Sequence, residues 1–279
     1  MGIPILTDNN GLHITDDAKA EALNRQFTSV FTHDDGRELP DMGKPYPGMH
    51  DIVFTQNGVE KLLEDIKPGK AAGPDELPAR VLKESAKEIS AILTMIFQRS
   101  YESGTIPDDW SSARISAIYK KGDKSTPSNY RPVSLTCIIC KLMEHIVCSQ
   151  MGKHLDRYNI LHPNQHGFRK GLSCETQLVE TLHDWTGTIN SKRQTDVVLL
   201  DFSKAFDKVS HKKLLHKIQH YGVDGKTNRW IKAFLSSRQQ QVVVNGRPSS
   251  VAEVASGVPQ GTVLGSMLFL LYINDIAAM

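Results

Sequence analysis

The stretch Val197-Val-Leu-Leu-Asp-Phe-Ser-Lys-Ala-Phe-Asp-Lys-Val209 decides how the rest of the chain is read. Four consecutive apolar residues, Val197 to Leu200, predict a strand buried on both faces. Asp201 then stands at its end, where a rigid support presents a carboxylate, and an oxygen donor so placed suits Mg2+ shared with substrate phosphates. A strand-terminal Asp also serves as a cap for the next element, so alone it leaves both readings open. Downstream, Leu214, Leu215 and Ile218 predict one helix and Trp230, Ile231, Phe234 and Leu235 a second. Asn245-Gly246 between Gln241 to Val244 and Arg247 to Val254 predicts a tight hairpin. An apolar helix from Gly265 to Ile276 follows.

Upstream, Ile115, Ala117 and Tyr119 alternate with polar residues as on a half-buried strand, and Lys121-Gly-Asp123 turns the chain toward a second strand at Arg131 to Leu135. Ile139, Leu142, Met143, Ile146, Val147 and Met151 mark one face of a helix of about twenty residues, and another helix is expected from Cys174 to Ile189. Nearer the N-terminus, Ile89 to Tyr101 predicts a helix stopped by Gly104, and Val59 to Ile66 one capped by Thr55 or Asn57 and stopped by Pro68-Gly69. Asp16 to Phe31 is helical in pattern, and the polar run His33 to His50 reads as a linker.

Composition narrows the class. With 39% apolar residues in 279, the chain is long enough for one large core or two modest ones. Residues 1–110 hold 11 Lys/Arg against 19 Asp/Glu and residues 111–279 hold 22 against 12, so the balance runs from −8 to +10. The second part therefore suits a polyanion or a solvated basic surface. Cys137, Cys140, Cys148 and Cys174 crowd together without a leader peptide, as expected of reduced thiols in a cytoplasmic or nuclear protein that is not secreted. Cys137 and Cys140 form a C-x2-C pair, but no second pair completes a zinc site and both fall on an apolar helical face. The uncharged run Val254 to Asn274 is broken by Pro259, Gln260 and three glycines, which predicts a buried helix rather than a membrane span.

Five motifs occur in order: Lys70-Ala-Ala-Gly-Pro-Asp-Glu-Leu-Pro78, Asn129-Tyr-Arg-Pro-Val-Ser-Leu135, His166-Gly-Phe-Arg-Lys-Gly171, Asp201 to Val209, and Gly257-Val-Pro-Gln-Gly-Thr262 with Leu271-Tyr-Ile-Asn-Asp-Ile276. Taken together they resemble the motif set of non-LTR (LINE-type) retrotransposon reverse transcriptases, over roughly residues 55 to 279. The resemblance implies an α+β right-hand polymerase. Residues 1–54 would be an N-terminal helix and linker, 55–195 the fingers region, and 196–279 part of the palm. It also implies an RNA template, a DNA primer, deoxynucleoside triphosphates and a two-ion Mg2+ site.

Carried over residue by residue, the resemblance makes Asp201 the first catalytic, metal-binding carboxylate. Phe206 would pack under the incoming sugar and exclude a 2′-hydroxyl by overlap. Arg131 and one of Lys120 or Lys121 would grip the triphosphate, with Arg as a bidentate fork. Gln260 and Gly261 would lie against the nucleotide, where glycine permits close backbone approach. Arg169 and Lys170 would meet template phosphates.

An aromatic-x-Asp-Asp hairpin carrying further carboxylates is expected shortly after Ile276, and it does not occur before Met279. Asp34-Asp35, Asp108-Asp109 and Asp275 do not replace it. The expectation is that these residues alone do not polymerise and that the apolar strand before Asp201 is left with an open edge. A non-catalytic polynucleotide-binding remnant, or a relic of a mobile element, are the alternatives.

Overall fold

A computed structural model describes residues 2–33 and 36–276. Ten α-helices and seven strands occur among them. A short hairpin, β1 (Leu6–Asp8) and β2 (Gly11–His13), leads into α1 (Asp16–Thr28), whose first turn is capped by Thr15. The helices α2 (Gln56–Glu64), α3 (Ala79–Glu84), α4 (Ala86–Ser103) and α5 (Asp108–Ser111) precede the hairpin of β3 (Ser112–Tyr119) and β4 (Tyr130–Leu135). Next come α6 (Ile138–Arg157), α7 (Cys174–Asn190), α8 (His211–His220) and α9 (Gly225–Leu235). The chain then returns to the sheet as β5 (Gln239–Val244), β6 (Arg247–Pro248) and β7 (Ala252–Glu253), and α10 (Val263–Ile273) follows.

The main sheet is mixed. β3 pairs antiparallel with β4 on one edge and parallel with β5 on the other, while β6 and β7 lie antiparallel on the far edge of β5. The Asn245-Gly246 turn forms as expected, with φ of 48° and 80°, values that Asn and Gly adopt more readily than other residues. The single strand expected over Arg247 to Val254 is interrupted. At Ser249 the side-chain hydroxyl accepts the Val242 N–H at 3.0 Å while its own N–H donates to the Val242 carbonyl, so the ladder breaks into two short pieces.

Two apolar cores result. The larger joins the inner faces of α2, α4, α6, α8, α9 and α10, with Phe97, Tyr101, Trp230 and Phe234 fully buried. Its aromatic polar atoms are satisfied: Tyr101 Oη bonds Thr227 Oγ1 at 2.8 Å and Trp230 Nε1 donates to Ser100 Oγ at 3.0 Å. The smaller core places Leu6, Ala20, Leu23 and Phe27 against Ala113, Ile115, Tyr130, Val242 and Val244 of the sheet. The N-terminal helix is thus one wall of the sheet's core. In the polar run after it, the backbone N–H groups of Tyr46 and Met49 donate to the carbonyls of His220 and Gly222.

The strand expected before Asp201 does not form. Residues 197–200 are not a strand, and Val198, Leu199 and Leu200 are each more than four-fifths exposed. An isolated strand cannot form, because its backbone donors and acceptors need a neighbour, and no described strand pairs with this run. Cys137 and Cys140 are both buried, and burial pushes the Cys137 thiol up to about 12. Among the described residues no helix is long and apolar enough to cross a membrane. The Asp34-Asp35 pair and Met279 lie outside the described residues.

Candidate active site

Between the β3–β4 hairpin and residues 201–207 lies a cavity of about 480 Å3. Lys120, Lys121 and Arg131 line it from the hairpin, Asp201 and Phe206 from the opposite segment, and Gln260 from below. Six of the residues singled out in the sequence therefore meet around one space, although 140 positions separate the first from the last.

The hairpin's register accounts for its basic wall. Ile118 pairs with Arg131 and Tyr119 with Tyr130, and side chains alternate along a strand, so Lys120 falls on the same face as Arg131. The tip that carries Lys121 is braced from within. Gly122 has φ 83°, Asn129 Nδ2 donates to the Asp123 carbonyl at 2.9 Å, and Tyr130 Oη donates to the Lys124 carbonyl at 2.6 Å. The Lys120 N–H donates to the Asn129 carbonyl and closes the loop.

The opposite wall hangs from a loop. The N–H groups of Gly257 and Val258 donate to the carbonyls of Val209 and Phe206 at 2.8 and 2.9 Å. Ser256 Oγ donates to the Asp207 carbonyl at 2.7 Å and Gln260 Nε2 to Asp207 Oδ1 at 2.9 Å. Gly257, at φ 91°, is pressed so closely onto this segment that a Cβ would stand 2.7 Å from the Phe206 carbonyl oxygen. Ser134 of β4 donates its N–H to the Gln260 carbonyl at 2.7 Å, so the same loop ties the hairpin wall to the carboxylate wall. Gly261 adjoins Gln260 with φ 98°, where a Cβ would meet the Ser134 carbonyl at 3.0 Å, but it is not itself on the cavity wall.

Asp201 is exposed, whereas Asp207 is buried; burial raises the Asp207 pKa, opposed by the Gln260 hydrogen bond and by Lys204. Phe206 stacks on Phe269 with ring centroids 4.6 Å apart and meets Phe168 edge-on at 6.0 Å. Phe168 belongs to the segment that carries Arg169 and Lys170. These two lie outside the cavity: Lys170 is exposed, and Arg169 Nη1 donates to the carbonyls of His162 and Gln165, folding its own loop. Sequence reasoning did not single out Asp207 or Tyr130. Asp207 was visible as the second carboxylate of a seven-residue run, but its burial depends on the distant Gln260.

Among the described residues no three His, Cys, Asp or Glu side chains gather closely enough to hold a metal ion. Asp201 and Asp207 are the carboxylates on the cavity wall, and Asp207 already accepts from Gln260. The described residues therefore fall short of the donor set a two-ion site requires.

Comparison with known proteins supplies the class. The family model described as reverse transcriptase (RNA-dependent DNA polymerase) matches residues 118–279. The chain belongs to this family, in its non-LTR retrotransposon branch. It is 30% identical over 225 residues to the RNA-directed DNA polymerase from mobile element jockey of Drosophila melanogaster, covering 80% of this chain and 24% of that protein. It is 30% identical over 214 residues to the probable RNA-directed DNA polymerase from transposon X-element of the same fly, covering 74% and 23%. A third relative is the Pol polyprotein from type-1 retrotransposable element R2 of Popillia japonica, 30% identical over 177 residues, covering 62% and 24%. The chain thus spans about a quarter of the length of the curated relatives it matches. Polymerases of this family generally use divalent metal ions.

Proposed function

We propose that the chain carries the nucleotide-binding half of an RNA-directed DNA polymerase, and that the cavity between the β3–β4 hairpin and residues 201–207 receives the incoming deoxynucleoside triphosphate. The observation that carries this reading is the convergence of Lys120, Lys121, Arg131, Asp201, Phe206 and Gln260 on one space. Three cationic side chains on one wall suit a triphosphate, which spreads negative charge over oxygens that a guanidinium can grip in pairs. Phe206 stands opposite, held by stacking on Phe269, as a side chain must be if it is to reject a 2′-hydroxyl by contact.

In this reading residues 55–195 are the fingers and 196–279 part of the palm. The template strand runs past the loop that carries Phe168, Arg169 and Lys170, and the RNA template and DNA primer meet the basic part of the chain. Mg2+ would enter with the triphosphate, with Asp201 as one ligand among several. Nucleotide incorporation on a primed RNA template by the full-length protein tests the reading. Asp201→Ala should abolish incorporation while primer-template binding changes less than about twofold. Incorporation that survives the substitution would exclude Asp201 from the site.

A further inference from the structure

We propose that Glu144 and Arg238, two buried opposite charges that make no direct ion pair, act together to position the 257–261 loop at the floor of the nucleotide cavity, which makes both of them positioning residues for nucleotide binding. The proposal rests on reading that cavity as the nucleotide site.

Glu144 lies on the inner stripe of α6 with Cys140, Val147 and Met151, all at helical spacing and all fully buried. An acidic side chain there is costly unless it is hydrogen-bonded and balanced. Its Oε2 accepts the N–H groups of Val263 at 2.7 Å and Leu264 at 3.0 Å, while Oε1 faces the Cys140 thiol at 3.7 Å. Every partner is a donor; burial raises the pKa of Glu144, and the hydrogen bonds from Leu264 and Val263 together with the positive charge of Arg238 oppose that rise. Val263 and Leu264 are the first residues of α10, where backbone donors lack partners within the helix and the helix dipole favours an anion. The Thr262 hydroxyl takes the next donor, Gly265 N–H, at 3.2 Å. The helix start is therefore fixed from two sides, and the loop running into it, residues 257–261, is fixed with it.

Arg238 supplies the opposite charge. It is 2% exposed, at the junction of α9 and β5, and its Nη1 donates to the Phe234 carbonyl at 3.0 Å while the guanidinium lies over the Phe234 ring. Its Nη2 has no hydrogen-bond partner among the described residues. No direct ion pair joins it to Glu144 among the described residues, so the two charges act through the intervening core, where the local dielectric is low and distance weakens them less than in water. Arg238 also lines a water-sized cavity of about 30 Å3 with Asp207 and Gln260, directly behind the floor of the nucleotide site. The two charges thus flank the loop: Glu144 holds its exit into α10, and Arg238 lines the small cavity that Gly257 to Gln260 also line.

The test uses the full-length protein with Glu144→Gln, Arg238→Met and the double variant. Glu144→Gln should speed amide exchange at Val263, Leu264 and residues 257–261 by about tenfold or more, since a charge-assisted hydrogen bond is replaced by a neutral one. Exchange in α4 should stay unchanged. Deoxynucleotide affinity should weaken by about tenfold while primer-template affinity holds within about twofold. Arg238→Met should act in the same direction, because it strands the carboxylate without a counter-charge. The double variant should recover at least half of the loss on a logarithmic scale. A single variant that fails to fold beside a double variant that folds would support the pair in the same way. Unchanged loop exchange in both single variants, or losses that simply add, would overturn it. Were the wild-type protein to bind no deoxynucleotide, the cavity reading would fall, while the exchange data would still decide the charge pair.

Discussion

Asp207 is a carboxylate held out of water beneath the cavity, with Gln260 as its hydrogen-bond donor. Its pKa is raised by burial, so the folded state binds a proton more tightly than the unfolded chain does. Stability from this group is therefore greatest at low pH and declines as pH rises above the ordinary aspartate value of 3.8 through the raised folded value. Asp207→Asn keeps an acceptor for Gln260 and removes the titration. Its melting temperature should exceed that of the wild type by an amount that grows between about pH 4 and pH 7. A gap that shrinks or stays flat would show that the carboxylate is charged at little cost. Arg131 belongs to the same scale. It is exposed on the hairpin face, so Arg131→Ala should leave the fold intact and raise the nucleotide KM by about tenfold or more, with duplex affinity nearly unchanged. Loss of template affinity with normal nucleotide kinetics would reassign the residue.

At the scale of elements, the loop at 257–261 is the joint on which the cavity depends. Gly257→Ala combines a left-handed backbone with a Cβ driven into the Phe206 carbonyl, and should cost on the order of 3 kcal/mol in denaturant unfolding. Gly171→Ala shares the positive φ of 78° but meets nothing within 4 Å, and should cost about 1 kcal/mol. Equal costs would mean that close approach at Gly257 contributes nothing. Most elements were legible because their signals are local: the α6 periodicity, the Asn245-Gly246 turn and the Gly104 stop all reside within a few residues. The strand expected before Asp201 was not, since a strand needs a partner that its own residues do not encode. The β1–β2 hairpin is too short to carry an alternating pattern. The candidate site was legible as a set of residue types, because Arg131, Asp201 and Gln260 sit in recognisable motifs and Lys120 follows an alternating strand pattern at the start of a turn. The bonds that join those motifs, Ser134 to Gln260 and Gln260 to Asp207, span distant positions and were not. Glu144 carries a readable signal of its own, as a lone carboxylate on the apolar stripe of α6, but its partners at the start of α10 lie far along the chain.

At the scale of the whole molecule, the excess positive charge of residues 111–279 is the sequence feature most tied to a polyanionic partner. It cannot be tested by cutting the chain at residue 110, because Leu6, Ala20, Leu23 and Phe27 complete the sheet's core and the fragment would lose it. Charge removal on the intact protein avoids this. Replacing the exposed Lys170, Lys192 and Lys208 by Ser should weaken nucleic-acid binding and flatten its salt dependence by about 0.7 to 0.9 in log–log slope for each phosphate no longer neutralised. Replacing the exposed Lys44, Lys61 and Lys87 should change neither. Equal effects from both sets would mean that the asymmetry is only a solvated surface.

The nucleotide cavity is the claim on which the rest depends, and light-induced cross-linking of a photoreactive deoxynucleoside triphosphate to the full-length protein tests it most directly. Peptides containing residues 120–131 or 201–207 should carry the label. Unlabelled deoxynucleotide should compete it away, and Arg131→Ala should reduce it by about tenfold. Label placed elsewhere on the chain, or label at these peptides that Arg131→Ala leaves untouched, would contradict the account.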